Sequence, residues 1–198
     1  MSSLKHIFLI IVLIIVIIIL IYIRREYNDV VYLKSDIDDQ LYLVRDLPDK
    51  QIACNLLATI KRNMFKLSEH LSQKRTEWKE YDKYITQLNS KIYDAVLMES
   101  GENSVYTSYS VNKGEEIIFC LRSRSKETNK IHDLNLVMYV VLHEMAHVAC
   151  PEYGHTELFK HIFAFLVNRA IELNLYSKID FYKEPSEYCG LIITDSII

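Results

Sequence analysis

The chain has 198 residues and a formal net charge of −3; half of it is hydrophobic and a quarter charged. That balance excludes low-complexity disorder, and the slight acidic excess argues against a protein built to coat DNA or RNA. Four glycines and three prolines supply few turns for a many-stranded β fold, and four scattered cysteines with no CxxC pair exclude a disulfide scaffold, so helices should dominate.

Residues 7 to 23 (IFLIIVLIIVIIILIYI) are an unbroken apolar run with ten isoleucines and no charge. As a helix the run would extend about 25 Å, near the lower limit for a hydrocarbon core of about 30 Å. Lys5 and Arg24 flank it, Tyr22 suits an interface, and no small-residue cleavage site follows. The segment reads as an uncleaved single-pass anchor, residues 1 to 25, that meets a lipid bilayer through residues 7 to 23. Lys5 before the run, against Arg24, Arg25 and Lys34 after it, favours a cytosolic domain over residues 26 to 198. The absence of any Asn-x-Ser/Thr sequon and four cysteines without evident partners agree with a reducing compartment.

The rest of the chain carries no repeat or linker and reads as one domain. A short strand is expected at Leu41 to Val44. After Pro48 the set Ile52, Leu56, Ile60, Met64, Leu67 and Leu71 recurs at three and four residues, which predicts an amphipathic helix. Tyr81, Ile85, Leu88, Ile92 and Val96 predict another. Ser104 to Val111 and Glu116 to Leu121 are β-rich runs around Asn112-Lys113-Gly114, the signature of a hairpin. The basic cluster Arg122 to Lys126 reads as surface rather than as a phosphate or nucleic-acid site.

The chemistry lies further on. From Leu134 the sequence reads LNLVMYVVLHEMAHVAC, an apolar helix stopped near Pro151, followed by a second helix opened after Gly154. His143, Glu144 and His147 interrupt that apolar helix, where unpaired ionisable groups would each cost several kcal/mol. A metal ion resolves the conflict. Positions four apart share one helical face, so His143 and His147 can converge on a point, with Glu144 beside it as base for an activated water. This H-E-x-x-H pattern has the mechanics of zinc-dependent hydrolysis. The favoured third ligand is His155, presented by the Gly-containing turn; His161, Glu172, Glu152 and Cys150 are weaker alternatives. Three imidazoles suit zinc, one ion per chain.

The string H-E-x-A-H followed by Gly154, His155 and Phe159 resembles the minigluzincin-type metallopeptidases, which include the WLM/Wss1-like and SprT-like domains. The resemblance covers about a fifth of the domain. It implies an α+β fold: a mainly helical zincin-like domain with a small antiparallel sheet, here preceded by one transmembrane helix. It further implies His143, His147 and His155 as zinc ligands, Glu144 as general base and Phe159 as a packing residue beneath the site. A broader likeness, in LYLVRDLPDKQ, YTSYSVNKGEEIIFCLRSR and EPSEYCG, extends to uncharacterised predicted metallopeptidases of large DNA viruses. The expectation is a membrane-anchored zinc metallopeptidase acting on a protein or peptide, in a host or virion membrane. The spacing from His147 to His155 exceeds that of the tighter WLM form, and the acidic chain lacks an appended binding domain, so a DNA-linked substrate does not carry over. The edge that pairs with an extended substrate is expected at Glu116 to Leu121, with Tyr153 as a possible transition-state donor; Tyr188 and Cys189 are expected to pack. The competing class is an inactive, zinc-stabilised membrane scaffold or virion protein.

Overall fold

A computed structural model of the chain describes residues 2 to 27, 29 to 124 and 129 to 198. In the first helix, α1 (Ser2–Tyr27), side chains are described from residue 5 to residue 20. The expected flanks at Tyr22, Arg24 and Arg25 therefore lie outside the described side chains, as do Ser125 and Lys126 of the basic cluster.

Among the described residues no helix is long and apolar enough to cross a membrane. The sixteen residues of α1 whose side chains are described extend about 24 Å at 1.5 Å per residue, less than a hydrocarbon core of about 30 Å. The expectation of a transmembrane helix is thus not supported by the structure. Its side chains from Ile7 to Leu20 are nonetheless all exposed, on every side of the helix.

The domain alternates strands and helices: β1 (Val30–Lys34), β2 (Leu41–Arg45), α2 (Lys50–Gln73), α3 (Asp82–Ile92), β3 (Val96–Glu99), β4 (Tyr109–Val111), β5 (Glu116–Phe119), α4 (Leu134–Ala149), α5 (Glu157–Glu172), β6 (Ser186–Tyr188) and β7 (Leu191–Ile193). Two short 3₁₀ turns, Arg75–Glu77 and Lys79–Tyr81, join α2 to α3. The architecture is α+β, but the sheet corrects the antiparallel expectation. Its order is β1-β2-β3-β5-β4, with β2·β3 and β3·β5 parallel and only the outer pairs antiparallel. The physical reason is the crossover: α2 and α3 carry the chain back before β3 begins, so β3 must run alongside β2 in the same direction. β5 lies between β3 and β4, so the edges of the sheet are β1 and β4, and the edge expected at Glu116 to Leu121 is an inner strand.

Burial on α2 is also shifted from the predicted stripe. Ala53, Cys54, Leu57, Ile60, Met64, Leu67 and Leu71 face the core, whereas Ile52 is 61% exposed. Small residues at 53 and 54 let α2 approach β1 and β2 closely, which turns its first two turns away from the hydropathy maximum. α4 packs against α2, α3 and α5, with eleven of its sixteen residues buried. The helix that carries His143, Glu144 and His147 is therefore the central rod of the core.

One polar assembly sits inside. Arg122, read as surface, is 2% exposed; its guanidinium contacts the Glu99 carboxylate at 2.7 Å and Asp49 at 2.5 Å. Glu99 also accepts from the Arg45 backbone N–H at 2.8 Å. This network ties β2, β3, the end of β5 and the start of α2 together.

The cysteines correct a second expectation. Cys120 and Cys189 form a disulfide across 69 residues, leaving Cys54 and Cys150 free and buried. The bond fastens the β6–β7 hairpin, which makes its own two-stranded sheet, to the residue after β5. The argument for a reducing compartment from unpaired cysteines falls with it.

Candidate metal centre

α4 begins at Asp133, whose carboxylate accepts from the Asn135 N–H at 2.8 Å, a side-chain N-cap. It ends at Cys150, before Pro151. The carbonyls freed there are taken by neighbours. Gln87 of α3 donates its side-chain amide to the Val148 carbonyl at 2.9 Å. Lys113 donates Nζ–H groups to the Cys150 and Glu152 carbonyls at 2.8 and 2.7 Å. Lys113 reaches them because Asn112, Lys113 and Gly114 turn through the left-handed region between β4 and β5. At Gly114, with φ of +102°, a Cβ would come within 2.8 Å of a Val148 methyl, so only glycine allows this approach.

The loop after Pro151 brings His155 back over α4. The Thr156 hydroxyl accepts from the Phe159 N–H at 3.3 Å and so caps α5 one residue after His155. The Nε2 atoms of His143, His147 and His155 lie 3.2, 3.2 and 3.0 Å apart. Each ring nitrogen offers either one proton or one lone pair, so three mutual contacts cannot all be hydrogen bonds. A shared cation satisfies all three. Tetrahedral zinc with nitrogen ligands at about 2.0–2.1 Å spaces them by about 3.3–3.4 Å, close to the separations observed. The protein thus holds a group able to bind a metal ion.

Electrostatics agree. Burial, then the neighbouring His147 and His155, lowers the proton affinity of His143 to about 3. Burial, then His155 and Lys113, lowers that of His147 to about 4. Both rings are neutral near pH 7 with a lone pair to give. Phe159 lies beneath all three imidazoles, its ring centroid 4.3 to 5.0 Å from theirs.

Glu144 points away from bulk water, 3% exposed. Burial raises its pKa to about 7, while a hydrogen bond from Ser110 opposes the shift. Its Oε2 is buried and has no hydrogen-bond partner. A buried carboxylate oxygen with no protein partner beside three ring nitrogens fits a donor set that takes a further group.

The other sequence candidates stay outside the cluster. His161 is exposed on α5, and Glu172 pairs with Arg169 at 2.7 Å. Glu152 bonds Thr156, and Cys150 is buried as a free thiol. Tyr153 lies 85% exposed under the Lys113 ammonium. Sequence reasoning missed Ser110, Gln87 and the carbonyl-clamping role of Lys113. The turn around Lys113 was visible in the sequence, but what it grips was not.

No family model matches the chain. It is similar to uncharacterized protein R325 of Acanthamoeba polyphaga mimivirus, 48% identical over 151 residues that cover 76% of each chain. The chain belongs to the R325 family. Further viral relatives of the R325 family member described here include uncharacterized protein 136R of Invertebrate iridescent virus 6, 33% identical over 101 residues, 50% of this chain and 54% of that protein. Among solved structures, Wss1 from Saccharomyces cerevisiae aligns with a TM-score of 0.45 at 19% identity, over 66% of this chain and 87% of that one.

Proposed function

We propose that the chain is a zinc-dependent metallopeptidase in which His143, His147 and His155 hold one zinc ion and Glu144 is the general base. The observation that carries this reading is the convergence of three imidazole nitrogens beside a buried carboxylate whose Oε2 has no partner. Bound zinc supplies Lewis acidity, which polarises a carbonyl and acidifies water. Glu144 takes the proton of the attacking water and returns it to the leaving amine. A carboxyl whose proton affinity is lifted toward 7 suits that exchange near neutrality. Ser110 orients the carboxyl from β4, and the unpaired edge of β4 offers N–H and C=O groups to an extended substrate backbone. A zinc-stabilised scaffold would have no use for a base held beside the metal ligands.

α1 carries apolar side chains on every side from Ile7 to Leu20. We read it as the part that attaches the protein to lipid, with residues 7 to 23 as the contacting run. Resistance of the full chain to alkaline extraction from membranes, lost on deleting residues 7 to 23, is the expected result; release of the intact chain would remove this reading.

The deciding experiment for the site is metal content of the full chain purified in detergent without chelator. About one zinc per chain is expected, with affinity weakened more than about 100-fold in His155→Ala, since even outer-shell changes cost 10–100-fold. Well-folded protein that takes up no added zinc would end the hydrolase reading.

A further inference from the structure

The cleft above the three imidazoles encloses about 670 Å³, far more than an ion and a water require. Its two ends differ chemically. At one, Lys113 is held by two carbonyls and its ammonium lies 4.3 Å from the Tyr153 ring centroid. At the other, Tyr139 and Val140 line the wall together with Leu191 and Ile193. Tyr139 precedes His143 by four residues and Val140 precedes Glu144 by four, so both sit one turn from the site on its own face. Leu191 and Ile193, two apart on β7, share one face of the hairpin.

The polar groups that the lining adds around these side chains are hydroxyls rather than charges, and two of them are already bonded. The Tyr139 hydroxyl accepts from the Ile197 N–H at 3.0 Å, and the Tyr188 hydroxyl is bonded to that of Ser108 at 2.7 Å. Apart from the imidazoles, Glu144 and Lys113 are the charged side chains that line the cleft among the described residues. Leu191 is 59% exposed at the mouth, an apolar surface that only an incoming apolar group would remove from water. The wall is held in place rather than loosely draped, because Cys189, between β6 and β7, is bonded to Cys120.

Resting on the peptidase reading, we propose that this end is a specificity subsite: the enzyme selects substrates with a large apolar side chain, such as leucine, methionine or phenylalanine, next to the cleaved bond, and Leu191 and Ile193 set that choice. An aspartate placed there would leave water without a cationic partner, since Lys113 stands at the other end.

The test uses the zinc-loaded full chain in detergent and two peptides of alanine, serine and glycine, one with a central leucine and the other with a central aspartate. The expected kcat/KM favours leucine by about tenfold or more, with the cut beside the leucine by product mass. Leu191→Lys, at a half-exposed position that tolerates change, narrows or reverses the ratio by accepting aspartate. Equal kcat/KM for both peptides in the wild type, or cuts unrelated to the leucine, would overturn the subsite and leave the peptidase intact. If neither peptide is cut, the peptidase reading fails on its own, and binding of the labelled pair to zinc-loaded Glu144→Gln decides the subsite. Tighter binding of the leucine peptide sustains it, and equal Kd values overturn it.

Discussion

Burial raises the Glu144 pKa from 4.5 to about 7, so the metal-free protein is folded against the charge of that side chain at neutral pH. A carboxyl with raised proton affinity favours folding while protonated, below about pH 4.5, and that contribution is lost as pH rises through about 7. At 1.36 kcal/mol per unit the loss is about 3 kcal/mol. Metal-free Glu144→Gln should therefore be the more stable protein at pH 8, by about 1–3 kcal/mol, and gain nothing at pH 4; melting curves in chelator at the two pH values check this. With zinc bound, the same variant should keep its metal and lose turnover by at least about 100-fold, measured as kcat on the leucine peptide. Undiminished turnover would show that the base lies elsewhere. His143 and His147 run opposite in sign: their lowered affinities stabilise the fold above about 6.5 and lose that contribution as pH falls toward 3 to 4. The site was legible at this scale because covalent spacing fixes it. Positions 143, 144 and 147 share a helical face whatever surrounds them, and Gly154 signals the turn that returns His155. Arg122 was not legible, since a basic cluster has the same composition whether its first member is solvated or paired with Glu99 and Asp49 in the core. Removing that guanidinium leaves the buried Glu99 carboxylate with the Arg45 N–H but without its ion pair, and Arg122→Met should cost about 3–5 kcal/mol in a denaturant titration.

Elements that depend on local periodicity were readable and those that depend on distant partners were not. α2 and α3 announce themselves by apolar residues three and four apart, and α4 and α5 by apolar stretches bounded by Pro151 and Gly154. Val96 continues the spacing of α3 but begins β3, because the chain leaves the helix at Tyr93 and Asp94 while the apolar count runs on. β6 and β7 are three residues each and leave too short a pattern to detect. The parallel order of β2, β3 and β5 is a property of the crossover and appears in no hydropathy window. The turn at Gly114 is the element-scale joint of the site, since it brings Lys113 to the end of α4. Gly114→Ala must either push Val148 aside or shift the turn, and should destabilise by about 1–3 kcal/mol. Zinc affinity should fall with it, measured by competition with a chromophoric chelator; an unchanged affinity would separate the clamp from the ligand geometry.

At the scale of the whole molecule, a helical core supports the three imidazoles and a separate hairpin supplies the far wall of the cleft. The Cys120–Cys189 bond closes a loop of 69 residues. Chain entropy assigns such a closure about 4 kcal/mol. Replacing both cysteines by serine should lower the melting free energy by about 2–4 kcal/mol and broaden substrate choice, while one zinc per chain is kept because the imidazoles belong to α4 and the following loop. Cysteine spacing gave no hint of this pairing, since partners 69 residues apart obey no sequence rule.

The order of synthesis gives that wall a consequence of its own. His143, His147 and His155 are polymerised before Cys189, so the cysteine that anchors the wall is the last of these groups to be made. Pairing of Cys120 with Cys189 can follow the synthesis of the three imidazoles and cannot precede it, and the hairpin wall is the part of the cleft that is fastened last.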